Sequence, residues 1–156
     1  MVDRRPRPRR LRRSLPLLAA ALALAIGTTR THADATSDGA RAAIDKGLAY
    51  LKSQQKPDGS WQNEKDPPAM TAVVLKAFVQ DKEKYNANTD FVKRGFDKLL
   101  SHQMEDGGIY KDTLANYNTA IALSALAAAD NPAFKERIDR AVAYLKGLQW
   151  TDKSKF

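Results

Sequence analysis

Cysteine is absent from all 156 residues. That excludes disulfides, thiolate nucleophiles, cysteine metal ligands and a lipid-modified cysteine together. Alternating polar and apolar runs of the kind that form strands are also missing, so helix is the periodic element left to build with. No apolar stretch reaches the roughly 20 residues that a helix needs to span a bilayer. Excess charge is scarce too, except at one end. The formal net charge is +8, yet residues 1–35 hold eight Arg against two Asp, leaving 18 Lys and Arg against 16 Asp and Glu from Thr36 onward. A nearly balanced body argues against nucleic acid as the partner.

The basic head is followed by "LPLLAAALALAIG", Leu15 to Gly27, and then by "ADA" at Ala33 to Ala35. An Arg-rich start, a short apolar run and a small-residue site form the layout of a secretory signal peptide. Residues 1–35 are therefore expected to be removed, with the mature chain starting at Thr36 and no membrane span left after cleavage. A retained membrane anchor is the alternative. Arg12 and Arg13 resemble the twin-arginine export signal, although the general secretory route is preferred here. Either route places the product in the periplasm or outside the cell. Without disulfides, the exported part must hold together by packing.

The body repeats itself. Shifting it by 48 residues aligns "KGLAYLKSQQKPDGSW", Lys46 to Trp61, with "RGFDKLLSHQMEDGGI", Arg94 to Ile109. Gln55 then matches Gln103, Asp58 matches Asp106 and Gly59 matches Gly107. The same shift aligns "TAVVLKAF" at Thr71 with "TAIALSAL" at Thr119. A third copy begins at "RAVAYLKGLQ", where Gln149 stands 46 residues after Gln103. A fixed period of this size is the signature of a repeat architecture. The units are expected at about residues 40–84 and 88–130, with the start of a third at 131–156.

Each unit reads as a helical hairpin. Ile44, Leu48 and Leu51 mark one stripe of a first helix over about Ser37 to Gln54. Asp58-Gly59 and Asp106-Gly107-Gly108 form the turns, where Gly accepts positive φ at little cost. Asp66 is expected to cap a second helix running to about Val79, and Asn131 with Pro132 to open the fifth. The Ala-rich second helices are expected to form the more buried layer, with the charged first helices nearer solvent.

A Lys or Arg, a Gly, a Leu, then Gln, a short spacer and Asp-Gly-Ser-Trp resembles the "QW" repeat of squalene-hopene and oxidosqualene cyclases. Related repeats occur in protein prenyltransferase beta subunits and in secreted bacterial proteins with prenyltransferase and squalene oxidase repeats. "QMEDGGIYKDTLANYNTAIALSALAAAD" is most similar to this last group, and the resemblance covers about Ala40 to Trp150. It implies an alpha/alpha toroid, two concentric rings of helices. Here it would be a partial, open one, since the all-α body supplies about five helices. It also implies that each motif Gln clamps a helix end beneath the Trp ring. Gln55 with Trp61 would be the first clamp. Gln103 would be the second, with Ile109 in the Trp place and the aromatic moved to Tyr110. Gln149 would begin a third, but Lys153 stands where Gly is expected.

The family's chemistry is not carried over. Squalene-hopene cyclases protonate an alkene with the middle Asp of DxDD, which this sequence lacks. Prenyltransferase zinc needs Cys and His ligands, and only His102 lies in the mature part. Asp58 and Asp106 are read as bonding their own backbone rather than as acids. His102 replaces Gln54 of the first repeat and is read as a helix-end substitution. Glu105, Asp106 and Asp112 lack the alternating spacing of a calcium loop. No catalytic residue, metal or cofactor is therefore assigned. The expected product is an exported, non-catalytic binding or interaction scaffold, or a truncated piece of a longer repeat protein. Its partner would be a protein or an apolar or carbohydrate ligand. A second copy of the chain could cover the open repeat ends, because about three stacked units are needed for stability. The alternative is the N-terminal part of a terpene cyclase or polysaccharide-lyase-like toroid whose catalytic residues lie elsewhere.

Overall fold

The architecture was read from a computed structural model that describes residues 36–150. The expected signal peptide at 1–35 and the third-repeat positions 151–156, Lys153 included, lie outside the described residues. The chain divides into two units, Met1–Ile44 and Asp45–Phe156. The described part of the first, residues 36–44, is helical. The second carries both joints and the four helices that follow the first.

Among the described residues the protein is all-α, its only strand-like feature an isolated antiparallel bridge between Gln103 and Ile109. Helix α1 covers residues 36–53. It is followed by α2 (Ala69–Gln80), α3 (Asp90–Leu100), α4 (Ala115–Ala128) and α5 (Lys135–Gly147). A 3-10 turn, Pro132–Phe134, opens the last of these, and Asn131 caps it by accepting from Ala133 N–H at 3.0 Å. Pro132 just inside has no N–H to leave unpaired.

The second helices lie side by side. Asn118 Oδ1 accepts from Ala69 N–H at 3.3 Å, and Lys76 Nζ donates to Ser124 Oγ at 2.7 Å. Partners spaced by 49 and then 48 residues mean that α2 and α4 run parallel and in register. α3 packs on α2, and α5 on α4. Between them lies a core in which Phe78 meets Phe91 and Tyr85 edge to face at 4.9 and 5.2 Å. Such pairs add about 0.5–1.5 kcal/mol each beyond the apolar area they bury. Phe96 and Phe134 extend the core toward α5, with ring centres 5.0 Å apart.

Three expectations are corrected. Asp66 does not cap α2: its Oδ2 accepts from Asn63 N–H at 2.8 Å, closing a loop turn instead. The cap is Asn118, reaching across from α4. Ile44 is half exposed, whereas Leu48 on the same stripe is buried. Periodicity selects a face, and neighbours decide how much of it is covered. The layering holds in part. The Ala-rich α2 and α4 bury six of 12 and five of 14 residues against one of 13 in α5, but α3, a first helix, buries five of 11. α4 is apolar nearly all round, but among the described residues helices pack on only part of it, and Tyr117 is exposed.

Candidate functional site

The two Gln-Asp-Gly joints are the most distinctive local chemistry in the chain, and they are built alike. At the first, Gly59 N–H donates to Lys56 O and Lys56 N–H to Ser60 O, both at 2.9 Å. At the second, Gly107 N–H donates to Met104 O at 3.1 Å and Met104 N–H to Gly108 O at 2.8 Å. This is a β-turn closed by a residue of positive φ, +88° at Gly59 and +92° at Gly107. The aspartates hold the turns from within. Asp58 Oδ1 accepts from Ser60 N–H (3.0 Å) and Ser60 Oγ (2.7 Å). Asp106 Oδ1 accepts from Gly108 N–H at 2.8 Å, and its Oδ2 from the Tyr110 hydroxyl at 2.7 Å.

Each joint also grips the next helix. Gln55 Nε2 donates to Gly59 O (2.9 Å) and to Phe91 O in the first turn of α3 (2.7 Å), while its Oε1 accepts from Arg94 at 3.2 Å. Gln103 Nε2 donates to Gly107 O and Arg137 O, and its Oε1 accepts from Arg137, all at 3.0 Å. Amide polarity thus ties turn, side chain and helix backbone at one point. The glycines are pressed against those same helices. A Cβ at Gly59 would lie 2.5 Å from Arg94 O, and one at Gly107 would lie 2.6 Å from Arg140 O.

The aromatic positions differ between the copies. Trp61 donates its indole N–H to Leu51 O at 2.6 Å, lies against Gly95 and faces the Phe78 ring at 5.9 Å. Ile109 is fully buried in the matching place. Tyr110 instead stacks on Tyr144 of α5 at 5.9 Å. The second copy differs in size at both positions: Ile109 stands 48 residues after Trp61, and the buried Ala141 stands 46 after Gly95. Gln149 is exposed beyond the end of α5, with its backbone N–H on Lys146 O at 3.2 Å.

Three residues of these joints were not singled out from sequence. Thr71 Oγ1 accepts from Trp61 N–H and Thr119 Oγ1 from Ile109 N–H, both at 2.9 Å, so each second helix pins the chain leaving its turn. Both threonines are buried, and their 48-residue match was a usable signal. Asn118 gave no such signal, since Met70 occupies its place in the first copy.

Electrostatics at the joints favour holding over proton transfer. Hydrogen bonds from Ser60, assisted by Lys98 at 3.2 Å, lower the Asp58 pKa to about 2. An acid that protonates an alkene must be held neutral, whereas a carboxyl lowered in this way is ionised near pH 7. The Tyr110 phenol is raised above its usual value by its hydrogen bond to Asp106. His102 is lowered, first by burial and then by the charges of Lys98 and Lys111, so it stays neutral near pH 7.

The class defined by fold and joints is an all-α protein of helical-hairpin repeats. Comparison with known proteins gives two relatives. Lanosterol synthase erg7A of Aspergillus fumigatus is 31% identical over 136 residues, covering 78% of this chain and 18% of the relative. Lanosterol synthase ERG7 of Saccharomyces cerevisiae is 33% identical over 141 residues, covering 80% and 19%. Both belong to the squalene cyclase family. The chain spans about a fifth of the length of these curated relatives. No family model and no solved structure matches it.

Proposed function

We propose that this chain is a terpene-cyclase-type repeat scaffold that binds or joins other molecules and carries out no chemistry of its own. The observation that supports this reading is the use made of the repeated polar residues. Gln55, Asp58, Gln103 and Asp106 are all engaged by backbone or neighbouring side chains. They act as repeat clamps, together with Gly59, Trp61, Gly107 and Tyr110. Met70 and Val73 of α2 and Leu114 and Tyr117 at the start of α4 remain more than half exposed. They offer an apolar surface to an apolar ligand or a protein partner. Export, with loss of the first 35 residues, is part of the same proposal. Among the described residues, no helix is long and apolar enough to cross a membrane.

The purified protein, incubated with squalene and with oxidosqualene, is expected to yield no cyclised product by gas chromatography and mass spectrometry. Turnover above a protein-free control would overturn the non-catalytic reading. The likeness to about a fifth of two lanosterol synthases favours a second reading, in which these repeats are part of a longer cyclase. Antibody against residues 36–150 separates the two in extracts of the source cells. A band at 17.3 kDa, or one smaller by the mass of the 35 residues lost on export, fits the scaffold, and one much larger than 17.3 kDa fits the enzyme part.

A further inference from the structure

Between the two joints lies an open cavity of about 180 Å³, lined by Lys56, Gln62, Glu64, Lys98, His102 and Lys111, with Asp58 at its edge. Three ammonium groups face two carboxylates there, and among the described residues one of the three is ion-paired: Lys98, with Asp58 at 3.2 Å. Lys56 donates to the neutral Asn63 Oδ1 at 2.8 Å, and Lys111 to the Glu64 backbone carbonyl. An ammonium has three donors, so both keep donors, and with Glu64 in the same lining the cavity holds one excess positive charge.

The wall of the cavity carries a second, independent feature. Gln62 is only 6% exposed, and its Oε1 is buried with no hydrogen-bond partner. His102 Nε2 is likewise buried and unpartnered. Buried polar atoms are almost always satisfied, so two orphans on side chains that line one small cavity point to an occupant whose entry lets them turn toward it. Neither is explained by the joints, whose polar atoms are taken. The neutral imidazole with its proton on Nε2 is a donor. Gln62 Oε1 is an acceptor.

We infer that this cavity binds a small hydroxylated oxyanion, a hydroxycarboxylate or a sugar phosphate. Its oxygens accept from Lys56, Lys111 and His102 Nε2–H, and a hydroxyl donates to Gln62 Oε1. Charge alone selects neither head group, because the lysines act as point charges toward carboxylate and phosphate alike. The hydroxyl requirement comes from Gln62, which offers an acceptor that a bare inorganic ion would leave unpaired. The inference rests on this cavity and does not depend on the scaffold reading above.

The test is titration of the full-length, isotope-labelled protein with gluconate, glucose 6-phosphate, glucose and inorganic phosphate, followed by NMR. Gluconate or glucose 6-phosphate is expected to shift the His102 imidazole and the amides of residues 60–64 saturably. Whichever of the two binds more tightly identifies the head group. Glucose and inorganic phosphate are expected to bind at least about tenfold more weakly. The exposed-side double variant K56A/K111A, checked for an otherwise unchanged amide spectrum, should lose affinity by about tenfold or more. Three results would overturn the inference: no saturable shift with either hydroxylated anion up to about 10 mM, binding unchanged in K56A/K111A, or glucose or inorganic phosphate binding as tightly.

Discussion

Replacing Gly59 with Ala tests the joint most directly. The residue sits at φ +88°, where a side chain is strained, at a cost of about 1–2 kcal/mol. The new Cβ would lie 2.5 Å from Arg94 O and 2.9 Å from Arg94 C, both backbone atoms of α3. The helix or the turn must therefore move, and forced overpacking of this kind costs about 1–3 kcal/mol. Movement also loosens Gln55, which bridges Gly59 O and Phe91 O, and each weakened bond forfeits about 1 kcal/mol at most. The expected loss is about 3–5 kcal/mol. Gly47 supplies the control. It is helical, nothing lies within 4 Å of a Cβ built there, and Ala should stabilise it by about 0.5–1 kcal/mol. Urea unfolding followed by circular dichroism reads both. With a slope of about 1–2 kcal/mol/M, Gly59→Ala should lower the midpoint by about 2 M, while Gly47→Ala raises it slightly. A Gly59→Ala midpoint within error of the wild type, or an equal loss at Gly47, would refute the close contact between joint and helix.

Two further outcomes follow from the same geometry. Trp61→Ile removes a large ring and its bond to Leu51 O, and Gly95→Ala crowds Leu75 Cδ2 at 2.6 Å and the Trp61 ring at 2.9 Å, so each alone should destabilise. Together they place Ile and Ala where the second copy has Ile109 and Ala141, and relieve the crowding on the ring side. A double-mutant cycle should then show a favourable coupling of about 1–2 kcal/mol, and strictly additive losses would contradict the size exchange. The third outcome concerns acid. The folded pKa of Asp58 is about 2, below the ordinary carboxylate value of 3.8, so its stabilising effect is complete above about pH 4 and is lost as pH falls toward 2. Asp58→Asn should narrow the gap in urea midpoint to wild type over that window and leave the slope above pH 5 unchanged. The carboxylate is half exposed, so screening by solvent keeps the effect small.

Much of the scaffold was legible because it is local. The Gly positions at 59 and 107, the Asn131-Pro132 start and the amphipathic face of α3 depend on residues a few places apart. The candidate cavity was not legible, since Lys56, Gln62, His102 and Lys111 meet only when one joint is laid beside the next. His102 read as a substitution for Gln54. In the fold Gln54 is exposed, whereas His102 is partly buried and its Nε2 is buried without a partner.

Sequence alone determined the all-helical class, the 48-residue period and the place of each joint. Helix periodicity and turn chemistry act over one to four residues, and the second copy repeats the Gln, Asp and Gly at the same spacing. Tertiary structure decided what each polar group holds. The partner of Gln55 is 36 residues away, that of Gln103 is 34 away, and the cap of α2 comes from Asn118, 49 residues on. Such pairings are set by how helices pack. A buried amide takes the carbonyl that packing brings within 3 Å, and no local pattern states which one that is.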